Sequence, residues 1–260
     1  MELLSLQQSL STQLIKKSNS SILKTDTWCV PVHSVNITYK PVSRTKMDIL
    51  MKMILQSVAN NAFENAEQLS DILLVEQLFI QDLLSKMEKT GLINKVDSHY
   101  QQTEKGQKQL QSGVFEEEQD MKTIELLYSP SHQLFLNGDI EEVLEFEDFP
   151  EQLYRYHKQE EKISIQDEQV LEEIRAYEQP ESDEGEKEKH LSVIPSIDSI
   201  EDIQINDIPC IEFIIYDQQL DHFSVRVWNT LIDNWDEKLE HEIFQKEQST
   251  WRENYLQKNN

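Results

Sequence analysis

The chain has 260 residues, enough for one large domain or two small ones with real cores. Apolar residues make up 38% and charged ones 28%, and a formal net charge of −25 argues against a molecule whose whole surface binds a polyanion. The imbalance is local: residues 1–113 hold 12 Lys+Arg against 11 Asp+Glu, and residues 114–260 hold 12 against 38, which points to two units with different jobs.

The opening MELLSLQQSLSTQLIKK sets Leu3, Leu6, Leu10 and Leu14 at helical spacing and predicts a short amphipathic docking helix. Its acid precedes the apolar part and its basic pair follows, the wrong order for a signal peptide. Residues 27–40, TWCVPVHSVNITYK, alternate and are rich in Val, Ile, Thr and Tyr; they predict one or two strands, with Pro31 restricting any central place in a sheet. From Lys46 the period becomes helical. Met47, Ile49, Leu50, Met53 and Ile54 mark a first helix to about Asn60, Ala66, Leu69, Ile72 and Leu73 a second, and Ile80, Leu83, Leu84 and Met87 the inner stripe of a third from about Glu76 to Thr90. Gly91 stands where a left-handed residue commonly ends a helix. LINKV and HYQQT predict a tight hairpin around Asp97-Ser98, and Thr103 caps another helix. Residues 116–120, EEEQD, read as a solvated acidic connection.

Further on, KTIELLY and HQLFLN predict a hairpin over 122–137, with acidic helices at 139–147 and about 150–178. Residues 179–190, QPESDEGEKEKH, lack any apolar side chain and read as a linker. Residues 191–209 carry isoleucines and two prolines and predict an extended segment along a surface. CIEFIIY and FSVRVW form a second hairpin. Asn229 is expected to cap a final helix to about Tyr255, with Leu231, Trp235, Leu239, Ile243 and Trp251 inside. Trp228, Trp235 and Trp251 read as core, with an interface as the other reading. The two hairpins are faintly alike, TIELLYSPSHQLFLN against CIEFIIYDQQLDHFSVRVWN, which leaves open a duplication placing four strands in one sheet. The expected organisation is an N-terminal helix and strand extension (1–45), a helical domain with a hairpin (46–113), an acidic α+β segment (114–178), a linker and extended segment (179–209), and a hairpin plus C-terminal helix (210–260).

AEQLSDIL, LLSKMEKTGLI and YQQTEKG, in that order, give the second helix, the third helix with its exit, and the return from a hairpin. Over residues 46–112 this resembles the winged-helix domain of bacterial regulators of the multiple-antibiotic-resistance type, with Gln102-Thr103 where those families usually have Leu-Thr. The fold class expected is therefore α+β: a winged-helix domain followed by an acidic domain with antiparallel hairpins and helices.

In a DNA-binding member of such a family the third helix enters the major groove and the wing supports it. The residues this would use here are Gln77 and Gln81 on the helix, Lys86 beyond them, Lys95 and His99 in the wing, and Lys105 and Lys108 after it. Phosphate neutralisation requires basic side chains, yet the outer face at the start of this helix offers the acids Glu76 and Asp82 and no base. Leu78, Phe79 and Asp82 suit a protein interface better.

Other chemistries find little support. HEIFQ at 241–245 has Gln245 where a second zinc-binding His would stand. Five glycines form no phosphate loop, and no Cys–His or Gly-x-Ser-x-Gly arrangement occurs. The acids Glu141, Glu142, Glu145 and Asp148, and Asp198, Glu201 and Asp202, cluster as the composition requires without specifying a metal. Cys29 and Cys210 read as buried free thiols of a cytoplasmic protein. No apolar run approaches the length of a membrane span. The expectation is a non-enzymatic, winged-helix adaptor or regulatory subunit acting through protein–protein contacts in a bacterial assembly. No cofactor, metal or catalytic residue is expected, and the partner is a protein with a basic surface. A DNA-binding transcriptional regulator is the alternative, and an accessory subunit of a nucleic-acid-processing complex the second. An oligomer is compatible with the Leu stripe of the first helix.

Overall fold

The structure, a computed structural model, describes residues 2–17, 20–144, 146, 149–157, 165–178, 191–193 and 196–256 and is mixed α+β. The linker expected at 179–190 lies outside the described residues, as do Glu145 and Asp148. The elements run α1 (Leu3–Lys17), β1 (Ser20–Tyr39), β2 (Val42–Lys46), α2 (Ile49–Asn60), α3 (Ala66–Leu73), α4 (Gln77–Lys89), β3 (Ile93–Val96), β4 (His99–Gln102) and α5 (Glu104–Ser112). There follow β5 (Val114–Glu118), β6 (Lys122–Ser129), β7 (Leu134–Leu136), α6 (Ile140–Leu144), α7 (Asp167–Glu178), β8 (Leu191–Val193), β9 (Ile197–Asp217), β10 (His222–Asn229), β11 (Asn234–Trp235) and α8 (Glu237–Tyr255). They divide into a helical unit, residues 38–123 with 174–198, and a sheet unit, residues 1–37, 124–173 and 199–260.

In the helical unit α2, α3 and α5 each start at a side chain that caps them. Asp48 accepts from the Leu50 N–H at the start of α2 (2.7 Å), and Asn65 from the Gln68 N–H at the start of α3 (3.1 Å). Gly91, at φ 74°, lets the chain leave α4 in a left-handed turn. Thr103 does two things at once: its hydroxyl accepts from the Gly106 N–H (3.0 Å) and donates to the Gly91 carbonyl (2.6 Å). Gly106 is needed because a Cβ there would stand 2.1 Å from the Leu92 carbonyl oxygen, so α5 packs backbone to backbone on the chain leaving α4. Asp97 and Ser98, at φ 46° and 67°, make the two-residue turn between β3 and β4, with Val96 opposite His99. Met51, Ile54, Leu55, Leu69, Ile80, Leu84, Met87 and Leu92 form the core.

Two expectations fail here. Ile49, Met53 and Ile72 are 73%, 40% and 62% exposed, because α2 and α3 each bury a narrower stripe than their apolar pattern suggests. Residues 116–118 are not a solvated connection: they pair with β2, setting Arg44 opposite Glu116 with an Nε–Oε1 distance of 2.7 Å. Cross-strand charge pairing lets an acidic triplet serve as a strand. β8 completes this three-stranded sheet on the other side of β2.

The sheet unit is built on a curled sheet in the order β11-β10-β9-β1-β6-β7, so both expected hairpins lie in one sheet on either side of a central pair. That pair runs antiparallel: Ser21 meets Tyr216, Trp28 meets Glu212 and His33 meets Asp202, one number falling as the other rises. Pro31 therefore does sit in a central strand. Cys29 gives its N–H to Gln152 and its carbonyl accepts from Tyr154. β6 is the sheet neighbour of β1 and ends at Ser129. Alternation turns the next edge-facing N–H position to residue 31, where Pro has none to leave unpaired. The segment 152–154 is thus extended, where a helix was expected. One face of the sheet packs Trp28, Val30, Val32, Ile214 and Val227 against Leu239, Ile243 and Trp251 of α8. The other packs Ile211, Phe213 and Ile215 against Leu3 and Leu10 of α1, as a docking helix should.

The last helix begins later than its apolar spacing predicts. Leu231 and Trp235 continue the rhythm of Leu239 and Ile243, yet residues 229–235 form a turn and a short strand, with Asp233 at φ 44°. Asp236 is the cap, accepting from the Leu239 N–H (3.1 Å); Asn229 instead holds the turn through the Leu231 N–H (3.0 Å).

The two halves of this sheet repeat each other. Tyr128 and Phe135 pair across β6–β7 with rings edge to face at 5.4 Å; Trp228 and Trp235 do so across β10–β11 at 5.2 Å, each 100 positions further on. Gln133 and Asp233 occupy the same left-handed place in the two turns. Trp28 donates to Glu212 and Asn206 donates to Ser34, contacts that interchange when β1 is laid on β9 with Pro31 on Pro209.

Candidate functional site

Two kinds of site deserve comparison: an exposed surface on α4, and buried polar clusters in the sheet unit. On α4 the inward residues Ile80, Leu84 and Met87 fix what faces out. Gln77, Leu78, Phe79, Gln81 and Asp82 are all exposed in its first two turns, with no basic side chain among them. Leu78 is 67% and Phe79 54% exposed, and Leu74, just before the helix, is 89% exposed at φ 55°. A left-handed, solvent-facing leucine is a strained and apolar choice where Gly or Asn would be easier.

Two of the basic candidates, Lys86 and His99, meet acids within the unit. Lys86 lies 3.0 Å from Glu117 and over the Phe115 ring, and Lys95 lies over Tyr100 at 4.9 Å. His99 has one ring nitrogen 3.4 Å from Glu64 and the other 2.8 Å from the Asp97 carbonyl. Lys105 packs its chain against Gly91 and its charge lowers the Glu118 carboxyl, after the larger effect of Lys40. Lys108 is exposed on α5. Residues 38–123 hold 10 Lys+Arg and 13 Asp+Glu, so the surface around α4 has no cationic excess.

The sheet unit holds a Ser–His–Asp set that the sequence did not reveal, because its histidine and aspartate stand 104 residues apart and outside any motif. Ser129 Oγ is 2.7 Å from His132 Nδ1, and His132 Nε2 is 2.8 Å from Asp236 Oδ2. All three are at most 4% exposed, Asn229 donates to the same carboxylate (2.9 Å), and Lys238 donates to the His132 carbonyl. With the serine sealed and the aspartate capping α8, the set clamps the β6–β7 turn to the start of that helix. Burial pushes the Asp236 carboxyl up, but its bonds to His132, Asn229 and the Leu239 N–H together hold it below its ordinary value.

A second cluster surrounds Glu212, 2% exposed on β9. Arg155 grips it with two bonds of 2.7 and 3.0 Å, and Trp28 Nε1 adds a third of 2.8 Å. Arg155 also reaches Glu247, which accepts from Tyr156 (2.8 Å), and Tyr154 donates to Glu242 (2.6 Å). These bonds pin residues 154–156 between the sheet and α8. Burial raises the Cys29 thiol to about 12 and Cys210 well above its ordinary value, so neither is a nucleophile. His241 and Gln245 of HEIFQ pair with each other at 2.7 Å. Among the described residues no three His, Cys, Asp or Glu side chains gather to hold a metal, and no helix is long and apolar enough to cross a membrane.

Compared with family models, curated proteins and solved structures, the chain matches none.

Proposed function

We propose that residues 46–113 form a winged-helix module whose α4 surface binds another protein, making the chain a non-enzymatic, cytoplasmic adaptor or regulatory subunit of a bacterial assembly. The observation that carries this is the exposed run Leu74, Leu78 and Phe79 beside Glu76 and Asp82, at the position where a DNA reader would place bases and amides. The helix–helix–helix–hairpin–helix order of α2 to α5 supports the module. The acids flanking the apolar residues suit a partner whose surface is basic. DNA binding through Gln77, Gln81 and the lysines is the competing reading, favoured by the exposure of both glutamines and of Lys108.

Affinity capture with the whole chain tests the adaptor reading. A protein retained in constant ratio by the wild type is expected to be lost from Leu78→Ala/Phe79→Ala, while the unfolding midpoint stays put, since exposed substitutions shift stability by about 0.5 kcal/mol or less. Undiminished retention by the folded double variant would remove α4 from the interface.

A further inference from the structure

We infer that the sheet unit carries a second docking site, independent of α4: the open edge of β9 accepts an extended, basic segment of a partner protein as an added strand. β10 pairs with β9 only from Cys210 to Asp217, and β1 lies along the other edge. The Pro209 carbonyl accepts from Thr230 on the β10 side, and strand alternation then turns the N–H and C=O groups of Glu201, Ile203, Ile205 and Asp207 to that same side. Among the described residues no strand meets them there.

The chain itself shows what such an edge takes. Laying β1 on β9, Pro31 on Pro209, makes Cys29 the counterpart of Asp207. Beside Cys29 runs the extended segment Gln152–Tyr154, bonded in parallel at 2.7 and 2.8 Å. The same distance beyond the second turn, the chain is inside α8 and supplies no strand. One repeat thus has its edge filled from within; among the described residues nothing fills the other.

The side chains define the occupant. Glu201, Ile203, Ile205 and Asp207 share one face, apolar in the middle and acidic at both ends, with Ile203 50% and Ile205 60% exposed. A strand presenting two apolar residues between two basic ones matches this row. A second copy of this chain would set like charges against each other across the new ladder, which disfavours self-pairing.

The probe is a short capped peptide with lysine at each end, two valines between them and threonine at the intervening positions, added to the whole chain and followed by amide exchange. Protection of the Glu201, Ile203, Ile205 and Asp207 amides is expected, with affinity at least tenfold weaker for Ile203→Lys/Ile205→Lys and for a peptide carrying glutamate in place of lysine. Unchanged exchange at those amides, or equal binding by either control, would overturn the proposal. So would a dimer in sedimentation that the Ile203→Lys/Ile205→Lys variant dissolves, because it would put a second copy on the edge.

Discussion

Arg155→Met should be among the most damaging single substitutions in the sheet unit, lowering its stability by about 3 kcal/mol, because it strands a buried carboxylate. Glu212 has almost no access to solvent, and two of its three bonds come from this guanidinium. The loss is a matter of desolvation: a charge already taken out of water would keep one neutral donor, the Trp28 indole. Thermal unfolding should show a midpoint lower by roughly 10 °C, at about 2–4 °C per kcal/mol for a unit of this size. The double variant Arg155→Met/Glu212→Leu should recover most of that loss, since exchanging a buried pair for apolar residues is often neutral. A double variant as unstable as the single one would mean that the bonds themselves, and not the stranded charge, hold residues 154–156 in place.

Asp236→Ala should cost a similar amount, about 3 kcal/mol, by adding the loss of a helix cap to two buried donors left without an acceptor. Its pH behaviour separates it from Arg155→Met. The folded-state value of this carboxyl lies below its ordinary one, so the ionised form stabilises the fold. That contribution is fully present above the unfolded value of about 4 and is lost as pH falls through the lower folded value. Urea midpoints of wild type and Asp236→Ala, compared from pH 7 downward, should hold a constant gap to about pH 4 and converge below it. A gap that widens as pH falls would reverse the sign and contradict the assignment of the charged form to the buried clamp.

What the sequence revealed follows from which signals survive in one dimension. The helices between Asp48 and Ser112 announce themselves through an inner stripe and through punctuation at Gly91 and Thr103, both local features. β1 and β9 are 20 and 21 residues long and covered on both faces in part, so alternation marks only a portion of each and their full length is not legible. The start of α8 misleads for the opposite reason: Leu231 and Trp235 happen to keep helical spacing through a turn that Asp233 makes left-handed. Contacts such as Arg155 with Glu212, or His132 with Asp236, join residues far apart and leave no trace in composition or spacing. At α4, Leu78, Phe79 and Asp82 were readable as outward residues because Ile80, Leu84 and Met87 fixed the helix face. Their neighbour Leu74 was not, since nothing local signals a left-handed leucine. Basic residues flank YQQTEKG in the sequence, but the acids that meet Lys86 and His99 come from Glu117 and Glu64, elsewhere in the chain.

The claim that α4 serves a protein and not a nucleic acid is tested most directly by titrating a labelled random-sequence DNA duplex with the whole chain at low and moderate salt. No submicromolar binding is expected at either, because the helix face lacks basic groups and residues 38–123 hold 13 acids against 10 Lys+Arg. Submicromolar binding that weakens steeply with salt and disappears in Lys95→Ala/Lys105→Ala would contradict it.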